Sequence, residues 1–155
     1  MKKRILFLKA VLVLAVLVVL MFGVLVTTQF FTSEHQQPVS AWLFVAVVLI
    51  AIALMIYIAY LLNQLLNLID HDRTFSTASL PVVRKITASI FAIGIDAIGI
   101  MPFVFFAADA DDAPGLVLMG AGLVFIPFAV GVFATVLEQL LINAITIKKE
   151  NDLTV

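Results

Sequence analysis

The sequence predicts an all-α integral membrane protein, four transmembrane helices in an antiparallel bundle with both termini on the cytoplasmic side. Three observations predict it. Four apolar runs, roughly Ile5–Val26, Ala41–Leu62, Ile86–Phe106 and Leu116–Leu137, each come close to the ~20 residues that a helix needs to span a bilayer core. A composition of 64% hydrophobic and 12% charged residues, with mean hydropathy +1.22, exceeds what a soluble chain of 155 residues can bury. All nine Lys and Arg residues fall beside run ends that belong on one side: Lys2, Lys3, Arg4 and Lys9, then Arg73, Arg84 and Lys85, then Lys148 and Lys149. Segments 27–40 and 107–115 contain none, so the positive-inside rule places them outside. The net charge of -1 thus divides into a basic inner face and an outer face bearing Glu34, Asp109, Asp111 and Asp112. An outer ligand is expected to be cationic. The absence of cysteine excludes a disulfide or a thiol redox sensor within the chain.

Span 1 begins like a signal peptide, with basic Met1–Arg4, but its apolar run continues for 22 residues and no small-x-small cleavage pattern occurs near Gly23–Thr28. A retained signal-anchor helix is the expectation. Lys9 lies one turn inside and is expected to snorkel to the inner headgroups. The segment 27–40 reads as a solvated loop in which Phe30 and Phe31 dip into the outer interface. Trp42 stands where an aromatic-belt residue opens span 2.

Span 2 continues past the inner edge, with Leu62, Leu65, Leu66 and Ile69 at helical spacing, which predicts an amphipathic cytoplasmic extension over about 63–70. Its apolar face suits packing on the protein's own inner loop, lipid, or docking of a cytoplasmic partner. In Asp70-His71-Asp72-Arg73 adjacent positions diverge around a helix, which disfavours a metal site. Ser79 reads as the cap of span 3 and Pro81 as a first-turn proline. Near the outer end Met101-Pro102 predicts a kink or local unwinding.

Asp96 lies about ten residues in from Ile86, roughly 15 Å by helix rise and hence near the midplane. A carboxyl there costs about 2.5–3.5 kcal/mol on insertion scales unless it faces a cavity or partner. Ser89, Ala92 and Gly99 share its face, a small and polar stripe that turns Asp96 into the bundle. A protonated carboxyl bonded to a neighbouring group, a proton or cation relay, and a self-association contact all suit this position. Gly120, Pro127, Gly131, Thr135 and Glu138 form a matching stripe on span 4, so the two stripes are expected to pack together. Pro127 frees a carbonyl that Asp96 could satisfy. Glu138 falls at the inner edge, level with Arg84 and Lys85, which suits an interfacial ion pair. Roughly 15 Å of axial separation disfavours an Asp96–Glu138 relay.

In the outer loop 107–115 Asp109, Asp111 and Asp112 precede a Pro-Gly turn. They suit the dipole of the following helix, or a cationic peptide or ion, without the spacing of a calcium loop. The chain has no phosphate-cradling glycine loop, no nucleophile elbow and no helical pair of histidines. No enzyme, cofactor or metal site is expected.

The stretch from Asp111 to Leu118, then Val132–Leu137, and the ending Asn143-Ala144-Ile145 through Glu150-Asn151-Asp152-Leu153-Thr154-Val155 resemble the bacterial membrane family catalogued as domain of unknown function 2975. That resemblance spans the chain and implies four spans, placement in the cytoplasmic membrane, and a companion: a very small helix-turn-helix transcription regulator. Members often carry Gln near the position of Glu138 and no acid at Asp96, so the resemblance transfers no role to either. Two functions follow as expectations. The first is a regulatory membrane protein whose inner face, with Leu65, Ile69, Lys148, Lys149, Leu153 and Val155, holds that small cytoplasmic regulator. The second is peptide immunity, export or ion handling through the acidic outer loop and Asp96. The lipid bilayer is the expected partner, and a homodimer is compatible with the glycine-lined faces. Direct nucleic-acid binding is not expected.

Overall fold

The computed structural model describes residues 2–33 and 36–154. Its elements are α1 (Lys2–Thr32), α2 (Val39–Asp70), α3 (Ser79–Ala97), a 3-10 segment (Ile98–Ile100), α4 (Met101–Ala110) and α5 (Gly115–Leu153), with no strand among the described residues. α3, the 3-10 segment and α4 form one span, so four helical units are long and apolar enough to cross a membrane. The break within the third unit follows from Pro102, which has no N–H to give Ile98 and whose ring crowds that carbonyl. The chain tightens to 3-10 geometry and restarts.

The fold is the expected all-α bundle, and it is an open one. α1 packs on α2, α2 on α3 and the following turns, and α3 with α4 on α5, while α1 and α5 share no packed interface among the described residues. Successive spans run antiparallel. A Cβ on Gly99 would lie 2.6 Å from Val47 Cγ2, one on Gly120 2.8 Å from Val104 Cγ1, and one on Gly131 3.0 Å from Phe91 Cε1, so three glycines let backbones approach closely. Phe44 and Phe103 stack with ring centroids 4.7 Å apart.

These pairs set the level of each helix. Val47 meets Gly99, and Phe91 meets Gly131, which brings Leu62, Arg84 and Glu138 to one height, as the ends of the apolar runs imply. α1 is out of step. Lys9 meets Asn67, and Gly23 meets Ile52, so Leu14 stands level with Leu62, where matching the apolar runs would put Ile5. The displacement is about nine residues, roughly 14 Å at the helical rise. Segment 27–32 does not form the expected loop. It is the last part of α1, in which Thr27, Thr28 and Thr32 donate their hydroxyls to carbonyls one turn back. That back-bonding hides the polar groups which had suggested a loop. The connection shrinks to about residues 33–38, and so short a link holds the end of α1 beside the start of α2.

Candidate functional site

Asp96 is half-buried on α3, and its Oδ2 is buried with no hydrogen-bond partner among the described residues. Two expectations about its surroundings are corrected. α5 does present Gly120 and Gly131 to its neighbours, but the surface of α3 that receives it is Phe91 and Gly94, the latter beneath the ring of Phe128. Gly94 and Asp96 point about 200° apart around the helix. The Asp96 stripe therefore turns toward α2, where Gly99 abuts Val47, and the carboxyl does not reach the carbonyl freed by Pro127. Ser89, on the same stripe, keeps its hydroxyl on the Lys85 carbonyl at 2.7 Å. The arrangement is a lone carboxyl within the third span, one oxygen covered and without a hydrogen-bond partner among the described residues.

The basic end of the bundle is more elaborate. Arg84 Nε donates to Glu138 Oε1 at 3.2 Å, with Arg84 61% exposed and Glu138 18% exposed, so Glu138 is tied at the boundary and not free in the interior. Lys9 does not simply snorkel: its Nζ donates to Asn67 Oδ1 at 2.7 Å, because the displaced α1 brings it beside an amide on α2. Ser79 is not a cap. It is fully buried and donates to the carbonyls of Thr74 (2.7 Å) and Ser76 (2.8 Å), fastening the 71–78 connection, while Ile145 of α5 is buried at the corresponding height. Leu65 lines a groove with Leu66 against Leu8, Val11 and Leu12 of α1, so part of the apolar α2 face is covered within the molecule. Ile69 is half-buried; Lys148, Lys149 and Leu153 are exposed, the last at 85%. The segment 143–153 is a continuous helical extension of α5. Val155 lies outside the described residues, as does Glu34.

At the opposite end Asp109, Asp111 and Asp112 are exposed, and among the described residues no three acidic or histidine side chains converge. Asp112 has a backbone task. It adopts φ 50°, the Ala113 N–H reaches the Ala108 carbonyl at 2.9 Å, and the two together close α4 in a Schellman turn. Asp72, at φ 55°, does the same for α2, with Arg73 N–H on Leu68 O at 2.9 Å and Asp72 N–H on Ile69 O at 3.2 Å. Both positions escaped the sequence reading because aspartate, unlike glycine, gives no strong signal of positive φ. Trp42 is edge-on to Phe30 (4.7 Å) and Phe31 (6.2 Å), an aromatic cluster joining α1 to α2 at this end.

The profile of a family described as protein of unknown function (DUF2975) matches residues 29–155. The chain belongs to this family. It is also similar to the Bacillus subtilis (strain 168) protein named uncharacterized membrane protein YoaS, 40% identical over 92 residues that make up 59% of this chain. That stretch is 58% of the relative's length, so the chain covers less than two thirds of it. No solved structure matches the chain. With four apolar helices and this kinship, the chain is a membrane protein whose outer helical surfaces contact lipid.

Proposed function

We propose that this family member is a non-enzymatic regulatory protein of the bacterial cytoplasmic membrane, with both termini inside, that holds a small cytoplasmic transcription regulator on its basic end. The observation that carries the reading is the unequal finish of the two ends. Beyond the level of Arg84 and Glu138, α1 extends through Lys2, α2 through Asp70 and α5 through Leu153. For α5 that is about 15 residues, or roughly 22 Å of helix at the helical rise. The other end closes in brief connections at 33–38 and 111–114. A helix outside the bilayer must cover its apolar side chains with something; exposed Leu140 and Ile147, seven residues apart on one face of α5, give a partner helix a place to lie, and Leu153 is exposed at the helix end.

The test places a photocrosslinking amino acid at Ile147 or Leu153 in living cells, with Asp111 as the control position. The expected product is an adduct with a small DNA-binding protein from the first two sites only, abolished when residues 143–155 are deleted. Adducts from Asp111 alone would sink the reading. They would favour handling of a cationic peptide or ion at the acidic end, for which the covered carboxyl of Asp96 is the supporting observation. Loss of activity in Asp96→Asn with the tail intact separates that alternative from the first.

A further inference from the structure

We propose that the cleft between α1 and α2 is a binding site for one anionic phospholipid, its acyl chain lying along the cleft and its phosphate on Arg4. The cleft is continuous over two adjoining sections. Leu8, Leu12, Ala15 and Val19 line it from α1, and Ala59 and Leu62 from α2, without a polar group intruding. It runs about 11 residues along α1, roughly 16 Å at the helical rise. Its position follows from the displacement of α1. Because Leu14 stands level with Leu62 and the Arg84–Glu138 pair, the cleft crosses that level, from Leu8 on its basic side to Val19 on the other. Water wets so apolar a groove poorly, and an acyl chain entering from the adjoining leaflet covers it.

Charge selects the headgroup. Arg4 precedes Leu8, Val11, Leu12 and Ala15 by four, seven, eight and eleven residues, so it continues the cleft stripe one turn beyond the apolar lining. Lys2 and Lys3 adjoin it, and none of the three makes an ion pair among the described residues. Lys9 gives one of its three N–H donors to Asn67 Oδ1 and adds its charge to this end of the cleft. Asp70 and Asp72 at the same height are outnumbered by Lys2, Lys3, Arg4 and Arg73, which leaves the mouth positive. An arginine fork pairs with a phosphate through two hydrogen bonds. The inference does not depend on which leaflet the basic end faces.

The test is native mass spectrometry of the intact protein, released from micelles containing equal phosphatidylglycerol and phosphatidylcholine. The protein is expected to retain one phosphatidylglycerol in preference to phosphatidylcholine by about five-fold or more, the scale of one or two interfacial cation contacts. Replacing Lys2, Lys3 and Arg4 together by Gln is expected to bring the ratio to about one. Ala15→Trp, which fills the cleft, removes the retained lipid; Ala129→Trp, on the exposed face of α5, does not. Equal retention of the two lipids by the parent protein overturns the proposal. So does undiminished retention in a folded Ala15→Trp variant, or a lipid-free dimer, which would make the occupant a second copy. The headgroup ratio keeps the proposal testable if Ala15→Trp misfolds.

Discussion

Gly120→Ala and Gly122→Ala add the same methyl to the same helix two residues apart, and the structure predicts opposite results. At Gly120 the new Cβ would lie 2.8 Å from Val104 Cγ1, 3.1 Å from Cγ2 and 3.4 Å from Cβ. Unstrained carbon contacts sit at about 3.5–4.0 Å. Val104 turns away only at a cost, since a β-branched side chain in a helix has one strongly preferred χ1 rotamer and any rotation leaves its Cβ 3.4 Å from the new methyl. α4 and α5 must separate, and overpacking of this kind costs about 1–3 kcal/mol. At Gly122 nothing lies within 4 Å, so the methyl meets only lipid. Both variants share the preference of helices for Ala over Gly, roughly 1 kcal/mol, which cancels in the difference between them.

The assay is reversible unfolding in mixed micelles, followed by circular dichroism as the fraction of denaturing detergent rises. Gly120→Ala is expected to be less stable than Gly122→Ala by about 1–3 kcal/mol, with Gly122→Ala at or above the parent. Equal stability of the two, or the reverse order, would refute the α4–α5 contact and with it the level assigned to α5.

Three further outcomes follow from particular contacts. Asp96→Leu is expected to raise stability by about 1–3 kcal/mol in the same assay, because it removes a covered oxygen that has no partner; a loss of that size would mean the carboxyl is satisfied by a group in its surroundings. Glu138→Gln is expected to cost no more than about 1 kcal/mol, since Arg84 is 61% exposed and water screens the pair, and a double-mutant cycle with Arg84→Gln that gives several kcal/mol would contradict this. Asp112→Gly is expected to be neutral or stabilising and Asp112→Val to destabilise by about 1–2 kcal/mol, because φ is 50° there; thermal midpoints that do not distinguish the two variants would remove the Schellman turn from the account.

The levels of α3 with α4, and of α5, are legible in the sequence because each apolar run stops at charge or a turn, while α2 is marked at its start by Pro38 and Trp42. Arg84, Lys85 and Glu138 mark one edge and the Asp-rich turn the other. α1 lacks such a mark at its second end. Thr27, Thr28 and Thr32 look like loop residues until their hydroxyls are seen on carbonyls of the same helix, so residue type alone ends the run short of Thr32 and gives α1 the wrong height. For Asp96 the small-residue stripe carried half the answer. It shows that the side chain faces protein, but α3 packs on two neighbours, and only pairs such as Gly99 with Val47 reveal which. Ser79 fits a cap by residue type, whereas its actual acceptors are set by how 71–78 folds between α2 and α3, which local sequence does not encode.

The location of Asp96 bears on both functional readings. α2 is one unbroken helix from beside the Phe30–Trp42 cluster to Asp70 at the basic end, and it forms the wall against which the Asp96 stripe lies. A tilt of α2 forced by a ligand at the aromatic cluster would therefore move the basic projection and change the cover over the carboxyl together. The balance is sensitive because one carboxyl oxygen is already buried without a partner, so admitting water to it relieves a cost of about 1–3 kcal/mol, comparable with the coupling energies typical between distant sites. If α2 transmits in this way, Asp96→Leu weakens the dependence of partner crosslinking at Leu153 on conditions at the acidic end without abolishing the crosslink itself. Were the tail alone responsible for holding the partner, that substitution would leave the dependence unchanged.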